Sequence, residues 1–265
     1  MWYRTRFLTM QLELSTFLLV CPLVFLAGLV DAVAGGGGLI ALPAYLVAGV
    51  PMHFALGTNK LSSLAGTLVA SYRYYKNNYV DLFLCIPSIG AALAGSALGT
   101  SLILVMDEGN LQRLLLLVLP VTAFYVFKKK NSEGIAPPIS RRRALVYAIL
   151  ISFCIGGYDG FFGPGAGTFY ILLYAGLAKL ELRTASGNAK LVNLASNLAA
   201  LVVFLAHGRV IFPLGICAGV FSIAGSYIGS GLAIHRGAQM MRYFILVVLT
   251  LLFIRIAYDT VRHWG

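Results

Sequence analysis

The sequence predicts an all-α, polytopic membrane protein, and three observations support this fold class. The 265 residues are 59% hydrophobic and only 11% charged, with a mean hydropathy of +0.86, whereas soluble domains carry about 25% charged residues. Long apolar runs, at 17–34, 82–106, 111–127 and 244–257, approach or exceed the roughly 20 residues that a membrane helix needs. These runs also lack the alternation of polar and apolar residues that a membrane β-barrel requires.

The basic residues lie mostly at the ends of the apolar runs, so the net charge of +11 does not indicate nucleic-acid binding. Clusters at Lys128–Lys130 and Arg141–Arg143 follow the positive-inside pattern and predict a cytoplasmic loop. With four spans in the first half, the N-terminus is expected to be cytoplasmic too. Arg73 and Lys76 then lie inside, and Asp107-Glu108 lies outside.

An internal repeat divides the chain into an N-terminal membrane repeat (residues 1–127), the basic loop (128–143) and a C-terminal membrane repeat (144–265). Lys60 and Lys190 are 130 residues apart, as are the motifs Gly95-Ser-Ala-Leu-Gly99 and Gly225-Ser-Tyr-Ile-Gly229. Asp31 and Asp159 are 128 apart. Duplicated transporters show such halves, with a site between them near the membrane midplane. We expect about eight spans, four in each repeat. Four spans per half would make the repeats parallel and an odd number would invert them, and the sequence leaves this open.

The predicted elements of the first half are spans at 17–34, 82–106 and 111–127, a short helix at 39–48 and a helix over 58–75. Those of the second half are spans at 144–157, 188–206, 211–234 and 242–258, with a short broken or re-entrant piece at 166–178. The cysteines Cys21, Cys85, Cys154 and Cys217 lie inside apolar runs and are interpreted as buried small hydrophobic residues. Their spacing suggests no metal site, and no cofactor is expected.

Glycine interrupts the apolar sequence twice, with Gly35, Gly36, Gly37 and Gly38 in the first half and Gly163, Gly165 and Gly167 around Pro164 in the second. Such stretches do not sustain a helix. The helix that follows begins with free N–H groups and a partial positive charge, which favours an anion. Close helix packing is the alternative use of glycine, and we assign the pairs Gly95/Gly99 and Gly225/Gly229 to it.

Lysines and asparagines accompany each glycine stretch, and we predict a substrate-binding site from them: Lys60, Lys190, Asn59, Asn188 and Asn193. An ionisable residue within a span by default marks function, and two ammonium groups facing one cavity would attract an anion. Snorkelling to the interface is the alternative. Asp31 and Asp159 either pair with the lysine of their own half or carry protons in a coupled transporter, and the sequence does not decide between these roles.

The motif Asp31-x-x-x-Gly-Gly-Gly-Gly with Pro43, then Gly57-Thr-Asn-Lys60, repeated as Gly163-Pro-Gly-x-Gly167 and Gly187-Asn-x-Lys190, resembles the TauE/SafE sulfite and organosulfonate exporter family, closest to its YfcA-like members. The resemblance extends over about 14–258. It implies seven or eight spans from a four-span duplication, the bacterial inner membrane, and a small sulfur-containing anion bound near the matched stretches. The second copy reads Gly-Asn-Ala-Lys where the first reads Thr-Asn-Lys, so the equivalence of Asn59 and Asn188 stays open.

We therefore predict a secondary transporter of a small anion such as sulfite or an organosulfonate, with an anion channel as the alternative. An intramembrane enzyme is disfavoured because Ser186 and His207 are separated by about 30 Å along one predicted helix. We expect no catalytic residue, no metal and no nucleic acid. The expected partners are the anionic substrate and membrane lipid. The oligomeric state stays open, a homodimer being one option. Replacing Lys190 with alanine should abolish anion binding while leaving the fold intact.

Overall fold

The computed structural model describes residues 13–107, 109–111, 114 and 139–236, which form eight helices and no strand. In chain order these are α1 (Leu14–Ala34), α2 (Gly38–Val47), α3 (Met52–Lys76), α4 (Leu82–Leu104), α5 (Arg141–Phe161), α6 (Ala166–Gly176), α7 (Leu182–Ala206) and α8 (Phe212–Arg236). Five of them, α1, α4, α5, α7 and α8, are long and apolar enough to cross a membrane. The predicted all-α class is confirmed for this part of the chain. The predicted span at 242–258, and nearly all of that at 111–127, lie outside the described residues.

The two central helices begin earlier than the sequence pattern predicts. α3 starts at Met52 and α7 at Leu182, six residues before each expected start. Lys60 and Lys190 therefore each lie about two turns inside a helix, not near its end, and both are buried. Snorkelling to the membrane interface does not describe either lysine. α5 likewise begins at Arg141, because the Ser140 hydroxyl caps its first turn.

Both glycine stretches break the chain into a long and a short helix, as the sequence predicts. α1 ends where Gly35 takes a φ of 78°, and α2 begins three residues later. α5 ends before Gly163 and Gly165, with φ values of 96° and 80°, and α6 follows. Positive φ is a conformation that glycine adopts without steric cost, so these residues allow the reversal of the chain.

The predicted small-residue pairs lie in close helix contacts. A Cβ on Gly95 of α4 would lie 2.2 Å from the Phe153 carbonyl oxygen of α5, and one on Gly225 of α8 would lie 2.0 Å from the Phe25 carbonyl oxygen of α1. Gly99 faces Gly157 and Gly229 faces Leu29 in the same way. Because each contact advances in step along both helices, α1 runs parallel to α8, and α4 runs parallel to α5.

The helices α3 and α7, which carry the two lysines, cross in opposite directions. Gly57 near the start of α3 packs on Phe204 near the end of α7, and Lys60 reaches Asn197 one turn further along. At the two ends of the crossing, the Ile211 N–H donates to the Thr58 hydroxyl at 3.0 Å and the Asp81 N–H donates to Asn188 Oδ1 at 2.9 Å. Equivalent contacts thus occur twice with the direction reversed.

The starts of α1 and α5 lie on opposite faces of the molecule. α3 runs parallel to α8, since Gly215 packs near Thr58 and Gly231 near Arg73. α1, α3 and α8 therefore begin on one face, whereas α4, α5 and α7 begin on the other. The expectation that the N-terminal end and the 128–143 loop share a side is wrong for the described helix starts. Its premise of an even number of crossings before α5 fails.

Two apolar clusters flank the crossing of α3 and α7. One surrounds Tyr45 and Met52, and the other surrounds Tyr170 and Leu84. Cys21 and Cys85 are buried as expected, and Cys217 is partly buried with its Sγ 3.5 Å from that of Cys21. The expectation of burial is wrong for Cys154, which is exposed. A position inside an apolar run does not distinguish the lipid-facing side of a helix from its packed side.

Candidate anion site between the two halves

A small polar cavity lies where α3 and α7 cross, between the two broken helix pairs. Its volume is about 30 Å³, and one water needs roughly 10–15 Å³, so the cavity has room for about two waters. It is lined by Asp31, Gly35, Gly38, Asn59, Lys60, Ser63, Thr67, Asp159, Gly163, Gly167, Asn193 and Asn197. Both halves of the chain contribute to it.

Lys60 is held by the second half of the chain. Its ammonium lies 2.9 Å from Asp159 Oδ1 and donates to the Asp159 carbonyl oxygen at 2.7 Å and to Asn197 Oδ1 at 3.0 Å. Three acceptors match the three donors of an ammonium group. The Ser196 hydroxyl donates to the other carboxylate oxygen of Asp159. The ion pair is therefore buried with both charges well supplied with hydrogen bonds.

Lys190 is held in turn by the first half. Its ammonium lies 2.9 Å from Asp31 Oδ2 and also donates to the Asp31 carbonyl oxygen. Asp31 Oδ1 accepts from the Gly37 N–H at 3.3 Å, just ahead of α2. A carboxylate is favoured there by the helix dipole. The alternative in which each aspartate pairs with the lysine of its own half is wrong, because the antiparallel crossing of α3 and α7 brings each ammonium to the opposite half.

The two ion pairs differ in their access to solvent. The Lys60 and Asp159 side chains are each 4% exposed, whereas Lys190 is 1% and Asp31 20% exposed. The four charges sum to zero. Desolvation offsets much of the attraction within a buried pair. An anion that enters the cavity must therefore compete with a carboxylate for an ammonium.

The glycine stretches of the two halves touch each other beside the cavity. The Thr168 N–H of α6 donates to the Gly35 carbonyl oxygen at 3.2 Å, and its hydroxyl donates to the Ala34 carbonyl oxygen at 2.6 Å. A Cβ on Gly35 would lie 2.2 Å from the Gly167 carbonyl carbon. Close backbone approach thus requires glycine at Gly35 and Gly167, in addition to any role in lining the cavity.

Of the residues predicted to bind substrate, seven line the cavity: Asn59, Lys60, Asn193, Gly35, Gly38, Gly163 and Gly167. Lys190 joins them only through its bond to Asp31. Gly36, Gly37, Gly165 and Asn188 lie outside the lining. Asn188 binds the Asp81 N–H, as Thr58 binds that of Ile211. The partner of Asn188 in the repeat is therefore Thr58 and not Asn59.

Three polar residues that line the cavity are not among the predicted binding residues, because hydrogen bonding between helices is the more common use of such side chains in a membrane. Ser63 and Thr67 of α3 and Asn197 of α7 all face the cavity. The repeat contains a signal for them, since Ser63 and Asn193, and Thr67 and Asn197, are both pairs 130 residues apart.

Helical spans, opposed halves and buried charges at their crossing define a multi-pass membrane protein of the transporter class. The family model described as "Sulfite exporter TauE/SafE" matches residues 20–256. The chain belongs to the TauE/SafE family, as the sequence motifs predict.

Curated relatives support the same assignment. The chain is 35% identical over 247 residues to "Probable membrane transporter protein ORF9" of Sinorhizobium sp, which covers 93% of this chain and 94% of that protein. It is 33% identical over 244 residues to "Probable membrane transporter protein YfcA" of Escherichia coli strain K12, covering 90% of each chain. A relative from Haemophilus influenzae is 34% identical over 240 residues, 89% of this chain and 92% of the relative. No solved structure gives a significant match.

Proposed function

We propose that the protein is a secondary transporter of a small anion, with sulfite or an organosulfonate as the substrate class. The observation that carries this proposal is that two ion pairs, Lys60–Asp159 and Lys190–Asp31, each join the two halves beside one polar cavity. We call them the crossed ion pairs, because the buried ammonium of each half binds a carboxylate of the other half. The name of the matched family supports a sulfur-containing anion.

The reversed contacts at the two ends of the α3–α7 crossing support an inverted repeat. Transporters with inverted repeats bind substrate near the midplane and expose the site by rocking one repeat against the other. Because both ion pairs span the two halves, such rocking moves each carboxylate relative to its ammonium. The described cavity is smaller than a sulfite ion needs, so binding requires the halves to separate there.

Substrate binding then follows as an exchange of partners. An anion takes the place of a carboxylate on Lys60 or Lys190, and the Gly38 N–H and the Asn193 side chain, which both border the cavity, hold its oxygen atoms. Protonation of the displaced aspartate keeps the site from gaining an unpaired negative charge, which would be costly in a dry cavity. Asp31 or Asp159 thereby links anion binding to a proton.

The charge distribution supports a definite orientation in the bacterial inner membrane. The face at which α4, α5 and α7 begin carries the basic residues Arg73, Lys76, Arg141, Arg142, Arg143, Lys179 and Arg183. The opposite described face carries Glu13, Asp107 and Arg209. By the positive-inside rule the first face, called the basic face below, is cytoplasmic.

A catalytic role has no support in the geometry. The Ser186 hydroxyl donates to the Leu182 carbonyl oxygen of its own helix at 2.8 Å. His207 lies at the other end of α7 and its ring nitrogen bonds to the Val203 carbonyl oxygen at 2.8 Å. A serine nucleophile needs a base within hydrogen-bond reach, and this pair does not provide one.

Purified protein in proteoliposomes tests the proposal. We expect uptake of radiolabelled sulfite that saturates with concentration and responds to an imposed pH gradient. Uptake that rises linearly with concentration and ignores the pH gradient would instead indicate the anion channel. A thermal-shift screen with sulfite, alkanesulfonates and dicarboxylates identifies the substrate class, and the absence of any anion-dependent shift or uptake would contradict the proposal.

A further inference from the structure

A second, smaller cavity lies on the other side of Asp31, among α1, α2, α3 and α8. Its volume is about 20 Å³, enough for about one water. Its polar lining consists of Asp31, Ser63, Thr67, Ser222 and Ser226. Asp31, Ser63 and Thr67 line the central cavity as well, so the Asp31 carboxylate stands between two water-sized spaces. Asp159 lines only the central one.

Two columns of hydroxyl groups extend from this side cavity. α3 carries Ser63, Thr67 and Ser71, and α8 carries Ser222, Ser226 and Ser230, each at a spacing of four residues that keeps a column on one helix face. The columns face each other across Gly66. A Cβ there would lie 2.2 Å from Ser222 Oγ and 2.6 Å from Ser226 Oγ. Since α3 and α8 are parallel, both columns lead from Asp31 toward the same face.

We call these two columns, Ser63, Thr67 and Ser71 on α3 and Ser222, Ser226 and Ser230 on α8, the hydroxyl track. Its outer part contains a hydroxyl group that has no hydrogen-bond partner among the described residues. The Ser71 hydroxyl, one turn beyond Thr67, is buried and has no hydrogen-bond partner within the described part of the chain. A buried hydroxyl without a partner costs stability and is a natural partner for a water. Beyond it, Arg73 stacks on the Tyr227 ring at 4.4 Å and donates to the Tyr227 carbonyl oxygen. The track thus ends at the basic face.

The other half of the chain has no hydroxyl at four of the six corresponding positions. At the positions 130 residues away, Ser222 corresponds to Ala92 and Ser71 to Leu201, and neither has a hydroxyl. Leu201, which stands in the second half at the position corresponding to Ser71, is a buried apolar residue. Ser226 and Ser230 keep hydroxyl counterparts, Ser96 and Thr100, but these donate to the Ser196 carbonyl oxygen at 2.6 Å and to the Gly160 carbonyl oxygen at 3.0 Å. The asymmetry coincides with the greater exposure of Asp31 relative to Asp159.

We propose that Asp31 exchanges protons with the basic face through the hydroxyl track between α3 and α8, and that Asp159 serves as a fixed counter-ion. A proton from water at that face passes along waters hydrogen-bonded to the track and ends on Asp31 Oδ2. The carboxylate becomes a neutral carboxylic acid. Lys190 keeps its charge and loses its counter-ion, so the central cavity gains one net positive charge. The entry of an anion as a result of this positive charge rests on the proposed function.

Lys190 is the charged group that responds when Asp31 is protonated, because the other groups around Asp31 are either paired with each other or neutral. Lys60 and Asp159 also border the central cavity but are paired with each other. The Tyr74 hydroxyl of α3 donates to the Ala32 carbonyl oxygen at 3.1 Å. α2 and α8 line the side cavity with Gly38, Ala41, Ser222 and Ser226, none of which ionises. Gly167 of α6 is likewise neutral.

The rate at which Asp31 takes up a proton tests the proposal without any substrate. Purified protein in nanodiscs is subjected to an acid jump and followed by time-resolved infrared spectroscopy in the carboxylic-acid region, with Asp31→Asn identifying the Asp31 band. We expect Ser71→Ala and Ser222→Ala each to slow the rise of this band by about a hundredfold, the low end of the range for a positioned proton-transfer group. Ser96→Ala, at the position that corresponds to Ser226 in the other half, should leave the rate unchanged.

Ser71→Ala also separates a proton path from a structural role, because removing an unpaired buried hydroxyl should leave the melting temperature equal or higher. A slower rise of the Asp31 band in a variant of equal or greater stability supports the proton path. The proposal is overturned if wild-type protein shows no Asp31 band, if both serine variants respond at the wild-type rate, or if Ser96→Ala slows the band equally. A slowed band in protein that transports no tested anion would refute the transport proposal and leave the proton path standing.

Discussion

The two buried ion pairs are equivalent in sequence but differ in their surroundings. Lys60 and Asp159 are both 4% exposed, and Ser196 and Asn197 complete their hydrogen bonds. Asp31 in the second pair is 20% exposed and borders both cavities. A duplicated element therefore supplies one closed pair and one accessible pair. We infer that the closed pair holds the halves together while the accessible pair responds to protons and anions.

Removing Lys60 should have the largest effect on stability. Lys60→Ala leaves the Asp159 carboxylate buried without its counter-ion, which costs about 3–5 kcal/mol when one partner of a buried pair is lost. Lys190→Ala should cost less, because Asp31 keeps the Gly37 N–H and access to water. Chemical unfolding in detergent, followed by the loss of helical circular dichroism, measures both.

Neutralising both members of the closed pair is the control for that prediction. Lys60→Met with Asp159→Leu should recover most of the lost stability, since apolar replacement of a buried pair is often neutral. Equal losses in Lys60→Ala and Lys190→Ala would remove the distinction between the two pairs.

The glycines that end α1 and α5 should differ in their tolerance of a side chain. Alanine at Gly35 or Gly163 is strained by the positive φ, but only at Gly35 would its Cβ meet backbone at 2.2 Å. At Gly163 the nearest atoms are 3.4 Å away. We expect Gly35→Ala to be less stable than Gly163→Ala by about 1–3 kcal/mol, the usual cost of overpacking. Thermal unfolding of the two variants measures this difference. Equal melting temperatures would contradict the close backbone contact between Gly35 and Gly167.

Neutralising the two aspartates should separate their roles in anion binding. Proton uptake by Asp31 along the proposed path would free Lys190, so binding of an alkanesulfonate, whose own charge is constant, should tighten as the pH falls. Asp31→Asn mimics the protonated form and should bind about tenfold more tightly near neutral pH, or 1.4 kcal/mol, with a flat pH profile. Isothermal titration calorimetry at several pH values measures this, with Asp159→Asn as the comparison. A flat profile in Asp159→Asn and a sloping one in Asp31→Asn would reverse the assignment.

The exposed ion pair on the basic face should contribute least. Arg141 lies 3.1 Å from Asp81 and is 71% exposed, and pairs of this kind are worth about 0–1 kcal/mol. Asp81→Asn preserves the cap on the Phe83 N–H, so it should lower stability by less than about 1 kcal/mol in chemical unfolding. A loss as large as that in Lys60→Ala would show that burial does not determine the strength of these pairs.

The sequence predicts the class of fold and the gathering of the site residues, because apolar length and a repeated lysine–aspartate pattern are local features. It does not predict which aspartate meets which lysine. That choice depends on the antiparallel crossing of α3 and α7, and hence on the number of chain crossings between them. The predicted helix starts place Lys60 and Lys190 too near a helix end. Pro51, which directly precedes Met52, is a sequence signal for the earlier start of α3.

The repeat alignment shows a second limit of local pattern. Asn59 and Asn188 look equivalent because each precedes a lysine closely, yet Asn59 lines the cavity and Asn188 binds the Asp81 N–H. The counterpart of Asn188 is Thr58, whose hydroxyl accepts the same kind of bond. A difference of one residue along a helix turns a side chain by about 100°, so approximate matches do not identify lining residues.

Saturable sulfite uptake by a charge-neutral variant tests the central claim most directly. Lys190→Met with Asp31→Asn removes one crossed pair without leaving a buried charge, so the protein should fold and insert. The account predicts that proteoliposomes with this variant lose the saturable uptake of radiolabelled sulfite shown by the wild-type protein. Saturable uptake at the wild-type rate and affinity would contradict it.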